Sequence, residues 1–194
     1  MATRTDLYED ILRVAGELFM KQSYAATSIK QIAKAANCTT AALYYYFEDG
    51  KDSILRQVID NAMPDLASYL EPLHDSKSLH DLILGVSLSV GQAGEEILQR
   101  TRWLMVELPN MGEAERAKLH QKLLQFQRRL ADLIEPFVAS RDQAEQLAWI
   151  EYSALFGYGQ LFVTLGLQTV YEPPNEAFAL TLAEIIGNKE VPRQ

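Results

Sequence analysis

Cysteine is nearly absent from this chain, with Cys38 alone among 194 residues. A lone cysteine excludes a disulfide framework and any metal site that needs several thiolates. The three histidines, His74, His80 and His120, lack the short spacing of zinc ligands. We therefore expect no metal and no cofactor, and a reducing compartment such as the cytoplasm suits this composition.

Enzyme motifs are missing as well. The sequence has no nucleophile elbow, no P-loop and no dinucleotide fingerprint. The paired acids Glu95 and Glu96 are explained by the solvated start of a helix. The first ten residues hold no apolar segment of the kind that a signal peptide needs. We therefore expect a cytoplasmic protein that is not an enzyme.

Long hydrophobic runs are scarce, and one stretch needs to be considered as a membrane span. Residues 152–171 carry no formal charge over 20 positions, which is about the length that crosses a bilayer. The stretch also includes Gln160, Thr164 and three glycines, a content that argues against a span. A helix buried on both sides is the better interpretation.

Positive charge is also in short supply, since the formal net charge is −8. Residues 1–51 balance six Lys or Arg against six Asp or Glu, so the excess acid lies in residues 52–194. A neutral N-terminal part can still present a basic face, but charge alone does not identify a DNA-binding protein here.

What the sequence does contain is helical periodicity almost from end to end. Apolar residues recur every three or four positions, and no segment sustains the alternation of a strand. We therefore predict an all-α fold of about nine helices. The first three are expected at residues 5–22, 28–36 and 39–47. Asp49 and Gly50 then break the chain. This break predicts a first domain at residues 1–50 and a second at residues 51–194.

Six further helices are predicted in the second domain. The first of them meets Pro64 and should stop before Pro72, because proline lacks the amide hydrogen that a helix needs. The kink expected at Met63 and Pro64 makes this segment a candidate pivot. The penultimate helix is expected to run from residue 140 to near residue 166.

The third helix has an unusual outer face. Leu43 and Phe47 are four residues apart and should face inward, with Tyr46 beside them. The opposite face carries small, hydroxylated and aromatic side chains: Thr40, Ala41, Tyr44 and Tyr45. A helix exposed only to water would normally show Lys and Glu there, whereas small and hydroxylated side chains suit a helix that enters the major groove. The layout predicts a helix-turn-helix, with a plain helical hairpin as the alternative.

A specific pattern runs through residues 11–55, which read ILRVAGELFMKQSYAATSIKQIAKAANCTTAALYYYFEDGKDSIL. Its informative residues are Ile11, Ala15, Leu18, Phe19, Tyr24, Thr27, Ser28, Ile32, Ala33, Leu43, Tyr44, Phe47 and Lys51. The pattern resembles the DNA-binding segment of the TetR family of transcriptional regulators. Ser23 and Asn37 stand where the family has glycines, and Tyr46 replaces its histidine. Gly50 looks like one extra residue before Lys51.

The resemblance implies a set of DNA contacts. Phosphate contacts are expected from Thr27, Tyr44 and Lys51. Positions along the floor or wall of the major groove are expected for Thr39, Thr40, Ala41 and Tyr45. Lys30 and Lys34, on the outer side of the second helix, are either further DNA contacts or ordinary solvated lysines.

The resemblance also implies a sensor in the second domain. A ligand pocket is expected among its helices, lined by Trp103, Phe126, Tyr152 and Phe156. Candidate polar anchors are Arg102, Glu107 and His120. Apolar groups surround the eighth helix over residues 153–167, so it needs cover from a partner as well as from its own domain. A homodimer through the eighth and ninth helices is therefore predicted.

The function that the resemblance implies is sequence-specific DNA binding by a homodimer. Its partners would be double-stranded operator DNA and a small, largely apolar effector that releases a repressor from the operator. Two alternatives stay open. One is a ligand-independent regulator or an activator with the same fold, and the other is a helical interaction protein that does not bind DNA.

Overall fold

The computed structural model describes residues 4–62, 66–92, 94–171 and 175–188. Over these residues the chain forms nine α-helices and no β-strand, which confirms the predicted all-α fold. In chain order the helices are α1 Arg4–Gln22, α2 Ile29–Ala35, α3 Thr40–Tyr46, α4 Lys51–Ala62, α5 Leu79–Gln92, α6 Gly94–Glu107, α7 Glu113–Ile134, α8 Arg141–Gly159 and α9 Asn175–Gly187.

Side-chain caps fix the start of several helices. Ser28 accepts a hydrogen bond from the amide of Gln31, and its own amide donates to the Gln31 side chain, which completes a capping box. The Thr39 hydroxyl caps α3 by accepting from the Ala42 amide, and the Ser140 hydroxyl caps α8 by accepting from the Gln143 amide. Each such cap contributes about 1 kcal/mol to helix stability, so the sequence encodes these boundaries locally.

The fourth helix is shorter than predicted. α4 ends at Ala62 instead of continuing to a point before Pro72, and a 3₁₀ helix covers Leu66–Leu73. The 3₁₀ segment contains Pro72, whose ring is tolerated there because fewer regular α-helical hydrogen bonds are at stake. The candidate pivot at Met63 and Pro64 lies outside the described residues.

The eighth helix also ends earlier than predicted. α8 stops at Gly159, and a π-helical turn covers Gln160–Thr164, closed by a 2.9 Å hydrogen bond from the Leu165 amide to the Gln160 carbonyl. Gly166 has a left-handed backbone with φ 71°, which glycine adopts without a steric penalty. Within the described part of the chain, no helix is long and apolar enough to cross a membrane.

By packing, the chain divides into two compact units. The first comprises the described parts of residues 1–64 and 99–119, and the second those of residues 65–98 and 120–194. The packing boundary therefore differs from the predicted boundary at residue 50, because α4 shares the core of the three N-terminal helices. The functional division at residue 50 stays a prediction.

Each unit has its own apolar core. In the first unit α1–α4 contribute Ile11, Ala15, Phe19, Ile32, Leu43, Phe47, Ile54, Val58 and Ile59, together with Trp103, Leu104 and Met111. In the second unit α5, α7, α8 and α9 contribute Leu79, Leu82, Ile83, Val86, Phe126, Leu130, Ile134, Leu147, Ala148, Ala183 and Ile186. Burial of one such large side chain stabilises the fold by roughly 1.5–3 kcal/mol, so these clusters hold each unit together.

Candidate nucleic-acid interface

A tight turn sets the third helix against the second. The turn runs from Ala36 to Thr39, and the Cys38 amide donates to the Ala33 carbonyl at 2.9 Å. Asn37 has a left-handed backbone with φ 51°, and asparagine tolerates that conformation better than most residues. Ser23 is also left-handed, with φ 68°. Both positions therefore need the backbone that the family's glycines adopt easily.

The faces of α3 divide as the periodicity predicted. Leu43 is fully buried and Phe47 almost so, and both belong to the core of the first unit. The opposite side is exposed at Thr39, Thr40 and Ala41. Tyr44 and Tyr45 are exposed to 51% and 64% of their surface. The two adjacent rings form an exposed aromatic surface next to the small residues of the same face.

Gly50 shapes the surface beside Tyr44. Its φ is 60°, and a Cβ at this position would lie 2.9 Å from Cε1 of the Tyr44 ring. Only glycine allows both the left-handed turn and the close ring. The Gly50 carbonyl also accepts from the Ile54 amide at 3.2 Å, so the residue starts α4. The apparently extra residue therefore forms the joint between α3 and α4 and supports Tyr44.

Tyr46 belongs to an aromatic cluster on the inner side. Its ring contacts Tyr45 edge to face at 5.2 Å between centroids and Tyr8 at 6.1 Å. Tyr8 in turn stacks on Phe47 at 5.1 Å. Tyr46 is only half-buried, so it links the exposed Tyr45 ring to the core.

Thr27 is buried in the loop between α1 and α2. Only 2% of its surface is exposed. The hydroxyl donates to the Ser23 carbonyl at 2.9 Å and accepts from the Gln22 amide nitrogen at 3.1 Å. Both hydrogen bonds hold the loop between α1 and α2. The hydroxyl is therefore engaged within the protein, and the phosphate contact expected of Thr27 stays a prediction.

Lys51 is likewise committed to the protein. Its Nζ donates to the carbonyls of Tyr24 and Thr27 at 2.9 and 2.8 Å, and it lies 4.1 Å from the centre of the Tyr24 ring. Two of its three donors are thus used to join the start of α4 to the α1–α2 loop. This arrangement makes Lys51 a structural tie and weakens its predicted role as a phosphate contact.

Glu107 supports the same loop. It is buried, and its Oε1 accepts the Tyr24 amide at 3.2 Å. The Tyr24 hydroxyl donates to Asp52, and burial together with that contact raises the pKa of Tyr24. The sequence suggested Glu107 as a ligand anchor in the sensor, whereas the structure places it in the first unit, next to the helix-turn-helix.

The charges around α3 are sparse. No charged residue lies on α3 itself, and Glu48 and Asp49 follow its end. Asp49 forms an ion pair with Arg56, which neutralises part of this acid. Lys30 and Lys34 are exposed on α2.

The four nominated pocket residues do not share one core. Trp103 is buried in the first unit. Phe126 is buried in the second, where Tyr152 meets it edge to face at 4.9 Å. Phe156 is 41% exposed. Of the four, only Phe126 and Tyr152 are brought together. Arg102 and His120, the other two suggested anchors, are exposed.

Glu151 is a buried residue that the sequence reasoning missed. It is fully buried on α8, and Ser87 of α5 donates to its Oε1 at 2.8 Å. Burial raises the pKa of Glu151 to about 7, against the smaller opposing effect of Ser87. The signal was available, since Glu151 lies four and three residues after the core residues Leu147 and Ala148 and therefore shares their helix face.

Comparison with known proteins is consistent with this architecture. Residues 11–58 match the family model described as bacterial regulatory proteins, tetR family. A segment of 59 residues is 36% identical to the uncharacterized HTH-type transcriptional regulator YxaF of Bacillus subtilis (strain 168). That segment spans 30% of this chain and 31% of the relative, so the chain matches about a third of that protein's length.

Solved structures resemble the whole chain. A TetR family transcriptional regulator from Cytophaga hutchinsonii has a TM-score of 0.70 at 18% identity, with 100% of each chain covered. A TetR transcription regulator from Haloarcula marismortui ATCC 43049 has a TM-score of 0.67 at 20% identity, covering 97% of this chain and 100% of its own. At these identities the likeness establishes the fold.

The fold and the interface together define an all-helical protein with an N-terminal helix-turn-helix. The family-model match lies on that same helix-turn-helix, and the rest of the chain has the fold of the regulators to which it is similar. Residues 11–58 thus resemble the DNA-binding segment of the tetR family of bacterial regulatory proteins, and the chain shares the fold of solved TetR regulators.

Proposed function

We propose that the protein is a sequence-specific DNA-binding transcriptional regulator that works in the cytoplasm. The observation that carries this proposal is the outer face of α3, where Thr40, Ala41, Tyr44 and Tyr45 are exposed and uncharged. A narrow helix of this kind can enter the major groove, whereas a solvated helix would carry charges. Tyr44 is assigned to a phosphate, and Thr39, Thr40, Ala41 and Tyr45 to the groove.

Repression with release by a small, largely apolar effector is the regulatory mode that we propose. The aromatic pair Phe126 and Tyr152 supports a sensor in the second unit, because both rings lie in its apolar core. Burial raises the pKa of Tyr152 to about 12, which keeps this hydroxyl neutral as a hydrogen-bonding group. A ligand-independent regulator or an activator with the same fold is the alternative.

A homodimer through α8, α9 and the turn between them completes the proposal. Large apolar side chains are exposed along this part of the chain: Trp149, Ile150, Phe156, Leu161, Leu165, Leu180 and Ile185. Exposed apolar surface of this extent is typical of a protein–protein interface. A second copy of the chain would bury it, and a two-fold dimer would present two copies of α3 to DNA.

Selection from a random double-stranded DNA library tests the DNA-binding proposal directly. The full-length protein should enrich a two-fold symmetric site, and it should bind that site at least a hundredfold more tightly than scrambled DNA at about 0.15 M salt. Binding to all fragments alike would reduce the protein to a non-specific binder. No binding at any salt would favour the alternative of a helical interaction protein.

A further inference from the structure

One buried acid in the second unit lacks a full set of partners. Glu151 has no exposed surface, and its Oε1 accepts from the Ser87 hydroxyl at 2.8 Å. Its Oε2 is buried and has no hydrogen-bond partner among the described residues. A carboxylate oxygen left this way is costly, because a buried polar group without a partner loses the hydration that it had in the unfolded chain.

Among the described residues, no cation offsets the charge of Glu151, because the shift of its pKa has only burial and the Ser87 hydrogen bond as causes. The buried polar residues of the described chain are Thr27, Ser87, Glu107, Gln127 and Glu151, with no Lys, Arg or His among them. Ser87 itself is buried, next to the core residue Val86 on α5. Ser87 is the one hydrogen-bond donor to Glu151 that the described residues show, and burial raises the pKa of its carboxyl group to about 7.

We propose that Glu151 is the polar anchor of the sensor site and that the effector is an amphipathic cation, with an ammonium group that donates to Oε2 and an apolar body. The inference rests on the proposed sensing function. It makes that function more specific, because it adds one positively charged group to the largely apolar effector.

The chemistry of the anchor selects this class of ligand. An ammonium group donates to the free oxygen and also neutralises the carboxylate, whereas an alcohol provides the hydrogen bond without the charge. A carboxylate ligand would place two negative groups together in an apolar core. Tyr152 follows Glu151 on α8 and packs edge to face on Phe126 in the core of the same unit, and the proposal assigns the apolar body of the ligand to these rings.

A matched panel of small probes tests the proposal on the full-length protein. The probes have phenyl, naphthyl or biphenyl bodies, each joined by a two-carbon linker to an ammonium, a hydroxyl or a carboxylate group. Binding is measured by calorimetry and by the shift in melting temperature. We expect at least one ammonium probe to bind tenfold or more tightly than its hydroxyl partner, and the carboxylate probes to bind most weakly.

Variants assign the preference to the anchor. Glu151→Gln keeps the shape of the side chain and should reduce the preference for ammonium over hydroxyl to about twofold or less. Glu145→Gln removes an exposed glutamate from the same helix and should leave the preference unchanged. If the wild type binds ammonium and hydroxyl probes with equal affinity, the proposal is wrong, and this outcome does not depend on any variant. The proposal is also wrong if a folded Glu151→Gln protein keeps the full preference for ammonium probes.

DNA binding is measured on the same preparations, so that a failure of the proposed DNA-binding function can be distinguished from a failure of the proposed role of Glu151. Specific DNA binding without any preference for ammonium probes would sink the anchor and leave the regulator standing. Preference for ammonium probes without DNA binding would do the reverse. With both in place, a bound ammonium probe is expected to lower the affinity for the selected DNA, and Glu151→Gln should abolish that effect.

Discussion

At the scale of single residues, Glu151 is expected to make the stability of the protein depend on pH. Burial raises its pKa from 4.5 to about 7. Between these values the folded protein holds a proton that the unfolded chain has lost, so the free energy of unfolding falls as pH rises and levels off above pH 7. At about 1.4 kcal/mol per pKa unit, the decrease is of the order of a few kcal/mol.

Glu151→Gln removes this titration, so the variant should be more stable than the wild type at pH 8 and should differ far less from it at pH 4.5. Urea unfolding at both pH values measures the difference. Glu145→Gln, on the exposed side of α8, should follow the wild type at each pH. Parallel curves for the wild type and Glu151→Gln would show that the carboxyl group is not buried in the folded protein.

Tyr44 is the second residue with a defined expectation. Tyr44→Ala should weaken binding to selected and scrambled DNA by a similar factor, because a phosphate contact carries no sequence information. The loss of a hydrogen bond to a charged group corresponds to about 1.5–3 kcal/mol. Tyr44→Phe keeps the ring against Gly50 and isolates the hydroxyl, while Tyr171→Ala removes a comparably exposed tyrosine elsewhere. Unchanged affinity of Tyr44→Ala in fluorescence anisotropy would remove α3 from the interface.

Thr40 should instead change which sequences are preferred. The residue is exposed at the first position of α3, where a side chain of a groove-bound helix reaches base edges. We expect Thr40→Val to alter the affinity for single-base variants of the selected site by about 1–3 kcal/mol at one or two positions. Repeating the library selection with the variant measures this effect. An identical selected sequence would assign Thr40 to the backbone or to solvent.

At the scale of structural elements, Lys51 joins α4 to the loop before α2. Lys51→Met keeps most of the aliphatic stem and removes the two bonds to the carbonyls of Tyr24 and Thr27. We expect a loss of roughly 1.5–3 kcal/mol in unfolding free energy. The dependence of DNA affinity on salt separates this role from a phosphate contact, because losing a phosphate contact would reduce the logarithmic slope by about 1. A reduced slope with undiminished stability would restore the contact that the family resemblance implied.

The sequence was informative where the determining interactions are local. The two faces of α3 follow from helical periodicity, and the starts of α2 and α8 follow from the short-range caps Ser28 and Ser140. The internal hydrogen bonds of Thr27 and Lys51 could not be predicted, because their partners lie in a loop whose geometry depends on the packing of α1, α2 and α4. No spacing rule contains that information.

The ends of α4 and α8 show the same limit at longer range. Helical periodicity continues past Ala62 and past Gly159, so the pattern alone extended both helices. The 3₁₀ segment buries Ala67 and Leu70, whereas the π-helical turn leaves Leu161 half exposed, so the apolar pattern alone does not reveal either change of helix geometry. Glu151 was overlooked for a related reason, because a charged residue is normally expected in solvent even when it lies on the apolar face of a helix.

At the scale of the whole molecule, we expect one homodimer to bury the exposed apolar side chains of the second unit and to be required for tight DNA binding. Two recognition helices must reach successive major grooves about 34–36 Å apart, so a monomer can engage only one half-site. Leu161 is 50% exposed on the π-helical turn, within the proposed interface. Leu161→Arg would place two symmetry-related charges in an apolar contact, which association can bury only at a high cost.

Multi-angle light scattering should therefore show a dimer for the wild type and monomers or aggregates for Leu161→Arg. Affinity for the selected two-fold site should fall toward that for a single half-site, while circular dichroism should report unchanged helix content. Leu124→Arg is the matched control, because Leu124 is an exposed leucine of α7 outside the proposed interface. A dimeric Leu161→Arg protein with full affinity would move the interface away from α8 and α9. A monomeric variant with full affinity would instead show that one recognition helix is enough, and the two-fold model of operator binding would be wrong.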